Sequence, residues 1–311
     1  MNTLRVWLML LRRETWEHRA IVLAPAIVAG LTALLMLAGL VQGRGLSRDG
    51  AGLYLVQGLG LMSPDQREAS LTVLLTGVVP LFALTMVIVI LFYAVDALYS
   101  ERRDRSILFW KSLPVTDTAT VLAKLVTATV VIPLVTVVFV AITQVVTLLM
   151  ATMMVWGAEG DAWSLVWVPA PLFSLWTLLG YFMLAAALWC APLIGWLLLA
   201  SAWARKAPLL WATLPVVIAG QLELLAFGTT GIYGLVGDRV VGVFRVAFRP
   251  DIRTLMQVDG EGGVQAVATD RLLALIDLPG LLSAPGLWFG LAVALVLVVL
   301  AIFIRRYRDE S

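Results

Sequence analysis

The stretch SERRDRSILFWKSLPVTDTATVLAK, residues 100–124, concentrates charge and aromatic rings between two long apolar runs. Glu101, Arg102, Arg103, Asp104 and Arg105 come first, then the apolar block Ile107 to Trp110, then Lys111, Leu113, Pro114 and Asp117. These residue types at this spacing suit docking rather than bond-making. Phe109 and Trp110 gain nothing in water but supply energy in a protein groove, while Arg102, Arg103, Arg105 and Lys111 form a rim that sets orientation. Pro114 disfavours helical geometry at Leu113, and Thr116 or Asp117 caps the next helix, so the order reads as helix end, knob and restart. The competing reading dips the rings into lipid and sets the arginines against anionic headgroups.

Elsewhere, groups capable of chemistry are sparse. No Gly-x-x-x-x-Gly-Lys-Ser/Thr sequence occurs, so ATP cannot be held by a P-loop of this chain. There is no Ser/His/Asp set, no His-Glu-x-x-His and no carboxylate pair within an apolar run, which speaks against an enzyme. His18 and Cys190 are each alone, excluding an intrachain disulfide and a cysteine-based metal site. Glu223 is the one charge well inside an apolar run, expensive unless paired, protonated or beside water. With Gln221 it reads as lining an outer exit, bonding across a dimer seam, or pairing with a neighbouring helix or arginine. Gln144, with Thr127, Thr129, Thr136, Thr143 and Thr147, makes a second candidate pathway. Threonine bonds back to its own helix, so that stripe is weak evidence.

The elements that must position these residues are membrane helices. At 61% hydrophobic and 14% charged residues the chain cannot present a soluble domain's surface, and its net charge of +2 gives no reason to expect nucleic acid. Six apolar runs are long enough to cross the bilayer: 21–41, 71–97, 121–156, 171–202, 209–227 and 287–304. The third and fourth exceed what a bilayer needs, with Pro133 and Pro192 as break points. Before them, Leu4, Trp7, Leu8 and Leu11 recur at helical spacing, which predicts an amphipathic helix within 1–19 lying in the headgroup plane, the alternative being a cytosolic extension of the first span. Its apolar stretch runs into Arg12 and Arg13 too soon for a cleaved signal.

Placing the N-terminus in the cytosol puts 14 of 22 basic residues on that side, including all three lysines, so both termini are expected inside. Two external segments follow. The first, 42–70, is glycine-rich, with Ser63-Pro64-Asp65 as a turn and room for one short helix. The second, 228–286, is expected to carry a surface helix over 236–248, a loop at 259–263 and an apolar stretch, 272–282, that re-enters the outer leaflet or packs as a lid.

Residues 100–124 resemble the cytosolic coupling segment of the ABC type-2 permease family, in which a Glu-Arg-Arg-Asp run, Phe-Trp-Lys-Ser-Leu-Pro and a Val-Leu-x-Lys helix start occur together. The ending from Leu287 to Arg308, Leu-Trp-Phe-Gly through Arg-Arg-Tyr-Arg, is similar to that family too. The resemblance implies an all-α polytopic exporter subunit in the bacterial inner membrane. It also implies an elbow helix before the first span, a coupling helix between spans two and three, and a long external segment between spans five and six. A separate ABC ATPase would carry ATP and magnesium, and a second copy or a related permease would complete the pathway. The rivals are a secondary transporter, which calls for repeated halves and several intramembrane charges, and a non-transporting scaffold or assembly factor that works without ATP hydrolysis.

Overall fold

The computed structural model describes residues 3–42, 51–104, 115–249 and 269–307. Every regular element among them is helical, with one antiparallel bridge joining Phe248 to Ile276. Six helices are long and apolar enough to cross a membrane, which makes the chain a multi-pass membrane protein. In chain order the elements are α1 (Thr3–Glu17), α2 (Ala20–Gln42), α3 (Ala51–Leu61), α4 (Pro64–Thr76), α5 (Val79–Asp96) and α6 (Tyr99–Arg103). Then come α7 (Asp117–Val126), a π turn (Thr127–Val131), α8 (Ile132–Gly157), a second π turn (Trp163–Trp167), α9 (Leu172–Trp189) and α10 (Ala191–Trp203). The last are α11 (Pro208–Phe227), α12 (Gly231–Val241), α13 (Val243–Val246), α14 (Thr269–Ala274), α15 (Leu278–Ser283) and α16 (Pro285–Tyr307).

Helix α16, at 23 residues, is about 34 Å long at ~1.5 Å per residue and matches a bilayer core. The continuous stretches Pro64–Arg103 and Asp117–Gly157 hold 40 and 41 residues, so each runs to roughly 60 Å and projects beyond it. Part of that length was unexpected. Ser63-Pro64-Asp65 is a helix start, not a turn: Ser63 Oγ accepts from Gln66 N–H, the Gln66 side chain accepts from Ser63 N–H at 3.0 Å, and Pro64 fills the first helical position. The 42–70 segment accordingly holds α3 and the first turns of α4.

Two breaks sit beside prolines. In the third span the Ile132 N–H donates to Thr127 O, five residues back, opening a π turn just before Pro133, whose ring would otherwise press on the carbonyl four residues earlier. In the fourth, α9 ends and α10 begins at Cys190, two residues before Pro192.

Helix α1 packs on α7, and Arg305 of α16 meets Glu101 of α6, so both described termini lie at one end of the bundle, the terminal end. On α1 the buried positions are Leu10 and Glu14, whereas Leu8, Met9 and Trp16 are exposed. At the far end, residues after α11 fold back over the bundle. Phe182 of α9 stacks on Phe244 of α13 at 5.1 Å, the Tyr181 hydroxyl donates to Ala247 O at 2.7 Å, and Leu272, Leu275 and Leu281 are buried. The 272–282 stretch thus packs as a cover through α14 and α15, and the expected 236–248 surface helix is α12 plus α13, starting at Gly231. The loop at 259–263 lies outside the described residues.

Candidate functional site

The terminal end holds a buried charge cluster built by four elements. Helix α1 supplies Glu14, α6 supplies Glu101, α7 supplies Asp117 and Lys124, and α16 supplies Arg305. Lys124 is 0% exposed and Glu14 2% exposed, yet neither charge is isolated. Lys124 Nζ lies 2.9 and 3.1 Å from the two Glu14 oxygens and 3.1 Å from Glu101 Oε1. Glu101 Oε1 also takes Arg13 Nη2 at 3.0 Å, and its other oxygen takes Arg305 Nη1. Arg305 Nε reaches on to Asp117 Oδ1 at 3.0 Å. Burying one of these charges alone would cost several kcal/mol, so the cluster holds only as a set.

Neighbours complete it. Tyr93 OH donates to Glu14 Oε2 at 2.8 Å, and the His18 ring meets Tyr93 edge-on at 4.8 Å. Burial pushes the His18 imidazole below its usual range against the opposing pull of Glu14, so it is a neutral wall of the cluster at neutral pH.

The geometry brackets the segment 105–114. Glu101 precedes it, Asp117 and Lys124 follow it, and all three contact the same cluster. Thr116 is the helix cap, its hydroxyl accepting from Ala119 N–H at 3.1 Å, which leaves the Asp117 carboxylate for Arg305. Arg102 adds a fourth attachment: its Nη2 donates to Ser201 O at 2.6 Å and Ala204 O at 2.8 Å, carbonyls at the end of α10 that have no helical partner. A cavity of about 510 Å³ opens beside Arg305, walled by Thr116, Asp117, Thr120, Ile302 and Arg306 among others.

The structure therefore divides the expected docking residues. Glu101 and Arg102 turn into the bundle, while Arg103 and Asp104 pair with each other on the surface at 3.0 Å. Arg105, Phe109, Trp110, Lys111, Leu113 and Pro114 lie outside the described residues.

The candidate pathway residues do not come together. Gln144 is fully buried, its Nε2 donating to Leu75 O at 3.0 Å and its Oε1 accepting from Trp176 Nε1 at 2.9 Å. Leu75 lies in the last turn of α4, where carbonyls lack helix partners, so Gln144 closes the break that precedes Pro80. Leucine at 144 would leave a buried carbonyl and an indole N–H unpaired, at about 1–3 kcal/mol each. Gln144→Leu is therefore expected to lower stability by about 2–5 kcal/mol in detergent unfolding; a loss below ~1 kcal/mol contradicts the role.

Among the described residues Glu223 pairs with no arginine. Its carboxylate accepts from Thr229 Oγ1 at 2.6 Å, Gly231 N–H at 2.7 Å and Ile232 N–H at 2.8 Å, and so caps the start of α12. Gln221 is exposed on α11. Each threonine of the third-span stripe donates to the carbonyl four residues earlier, for instance Thr136 to Ile132 O at 2.9 Å. Comparison with protein-family models, with curated proteins and with solved structures finds no match to this chain.

Proposed function

We propose that the chain is the membrane subunit of an ATP-driven exporter of the ABC type-2 kind, paired with a second copy or a related permease, and moved by a separate ATPase. The terminal end is the cytosolic face, where 14 of the 22 basic residues fall. The observation that carries the reading is the bracketing of 105–114. Both ends of that segment are tied through one buried charge cluster to α1, α7 and α16, and through Arg102 to α10. A partner that displaces the segment must strain the cluster, and the strain reaches α1 and elements of three spans at once. ATP and magnesium belong to the partner, and the chain acts by docking and rocking.

The test is co-purification. Phe109→Ala with Trp110→Ala removes the aromatic pair while leaving every residue of the buried cluster in the sequence, and is expected to release an ATPase that co-purifies with the parent protein. An unchanged yield of ATPase beside a folded permease would sink the reading and favour rings buried in lipid. Orientation is checked by labelling: with Cys190 replaced, cysteine at Ser106 is expected to react only from the cytosol and cysteine at Gly262 only from outside.

A further inference from the structure

Helix α12 lies across the far end with none of its eleven residues buried. Apolar burial does not hold it down. What does is polar and local. Its start is fixed to α11: Glu223 accepts from Gly231 and Ile232, the Tyr233 hydroxyl donates to Val217 O at 3.1 Å, and the Tyr233 ring fills the space beside Gly220, where a Cβ would come within 2.5 Å of it. Toward its other end, Arg239 enters the junction between the fourth and sixth spans. Arg239 Nη2 donates to Gly286 O at 2.8 Å, Nη1 to Trp189 O at 3.4 Å, and the guanidinium lies over the Trp189 ring at 4.7 Å. Trp189 Nε1 answers by donating to Asp238 O at 2.9 Å.

The seat for this arginine is prepared on both sides. Trp189 and Cys190 form the break between α9 and α10, where carbonyls at the end of α9 lack helix partners and need an outside donor. On α16 a Cβ at Gly290 would stand 2.5 Å from Arg239 Nη1, and one at Gly286 3.2 Å from the Trp189 ring. The Gly-x-x-x-Gly spacing at 286–290 thus makes room for Arg239 and Trp189 rather than for another helix.

In the span attached to the start of α12, only Ala212 and Gly220 of α11 are buried, and its principal neighbours besides α12 are α10 and α5. We propose that α12 is a releasable strap fastening the fifth span to the fourth and sixth, with Arg239 as its pin. With the pin seated, α11 is tied at the far end to the end of α9 and the start of α16. With it withdrawn, nothing buried in α12 resists its lifting, and local opening of that kind is set by few contacts. The inference concerns the far end and does not depend on which partner binds the terminal end.

The chain carries its own reporter. Cys190 is the one cysteine, and its Sγ donates to Arg239 O at 3.1 Å beneath the strap. The experiment is the alkylation rate of Cys190 by a maleimide in the detergent-purified full chain. The parent protein is expected to react slowly, Arg239→Ala at least about tenfold faster, and Gly290→Leu, which expels the guanidinium sterically, similarly fast. Arg239→Lys keeps charge but loses the fork and is expected to fall between; it also serves if the alanine variant does not fold. Leu235→Ala, exposed on α12, is expected to match the parent. A parent rate already as fast as the variants overturns the strap as a cover, and variant rates as slow as the parent overturn Arg239 as its pin.

Discussion

Lys124→Met is expected to cost about 3–5 kcal/mol of unfolding free energy, because it leaves two carboxylates buried against each other without their shared cation. Glu14 and Glu101 both lie within 3.1 Å of Lys124 Nζ, and Glu14 has no other cation within ion-pair distance among the described contacts. Glu101 does: Arg13 and Arg305 remain on it. The second substitution that rescues is therefore specific. Glu14→Gln with Lys124→Met removes one charge of each sign and is expected to recover most of the loss, since a glutamine still accepts from Tyr93. Exchanging the two, Glu14→Lys with Lys124→Glu, keeps the same charges but sets a new carboxylate at Glu101, and is expected to remain destabilised. Denaturant unfolding of the purified chain measures all three. A Lys124→Met loss within ~1 kcal/mol of the parent, or equal rescue by both doubles, would remove the three-body cluster.

How much of this was legible in the sequence differs by level. Six spans followed from run length, since nothing but length and apolarity decides whether a helix crosses a bilayer. The breaks near Pro133 and Pro192 followed from a missing N–H. The helix start at Ser63 was readable in principle, because Ser-Pro-x-Gln carries both halves of a capping box, but the Ser-Pro-Asp turn signal sits on the same residues. The charge cluster was not readable. Glu14, Glu101, Lys124 and Arg305 lie between 23 and 291 positions apart in the chain, and each taken alone is an ordinary charge beside an apolar run. One local sign existed: Lys124 shares a helix face with Thr120 and Val121, both buried, so that face had to carry its cation inward and needed a carboxylate there. Which carboxylates answered depended on how α1 and α16 met α7, a tertiary fact. Which of the roles open to Glu223 it would take was unreadable for a related reason, because two of its three described partners are backbone N–H groups of the next helix, which carry no residue signature.

The segment 105–114 should become at least tenfold more sensitive to trypsin in Arg305→Met, with cuts expected at Arg105 and Lys111. Arg305 contacts both sides of the segment, holding Glu101 with one arm and Asp117 with the other. Hydrogen bonds to charged groups are worth about 1.5–3 kcal/mol, and each ~1.4 kcal/mol taken from a local opening raises the open population tenfold. Cleavage follows that population when opening is fast relative to cutting. Global stability should fall less than in Lys124→Met, since Glu101 keeps Lys124 and Arg13 while Asp117 is already partly exposed. Arg305→Lys, a point charge without the fork, should hold one carboxylate and give an intermediate rate. Cleavage no faster than in the parent would mean that the segment is held by something other than this clamp. It would also detach the sixth span from the proposed route by which a docked ATPase moves the bundle, leaving α1 and α7 to carry the displacement through Glu14 and Lys124.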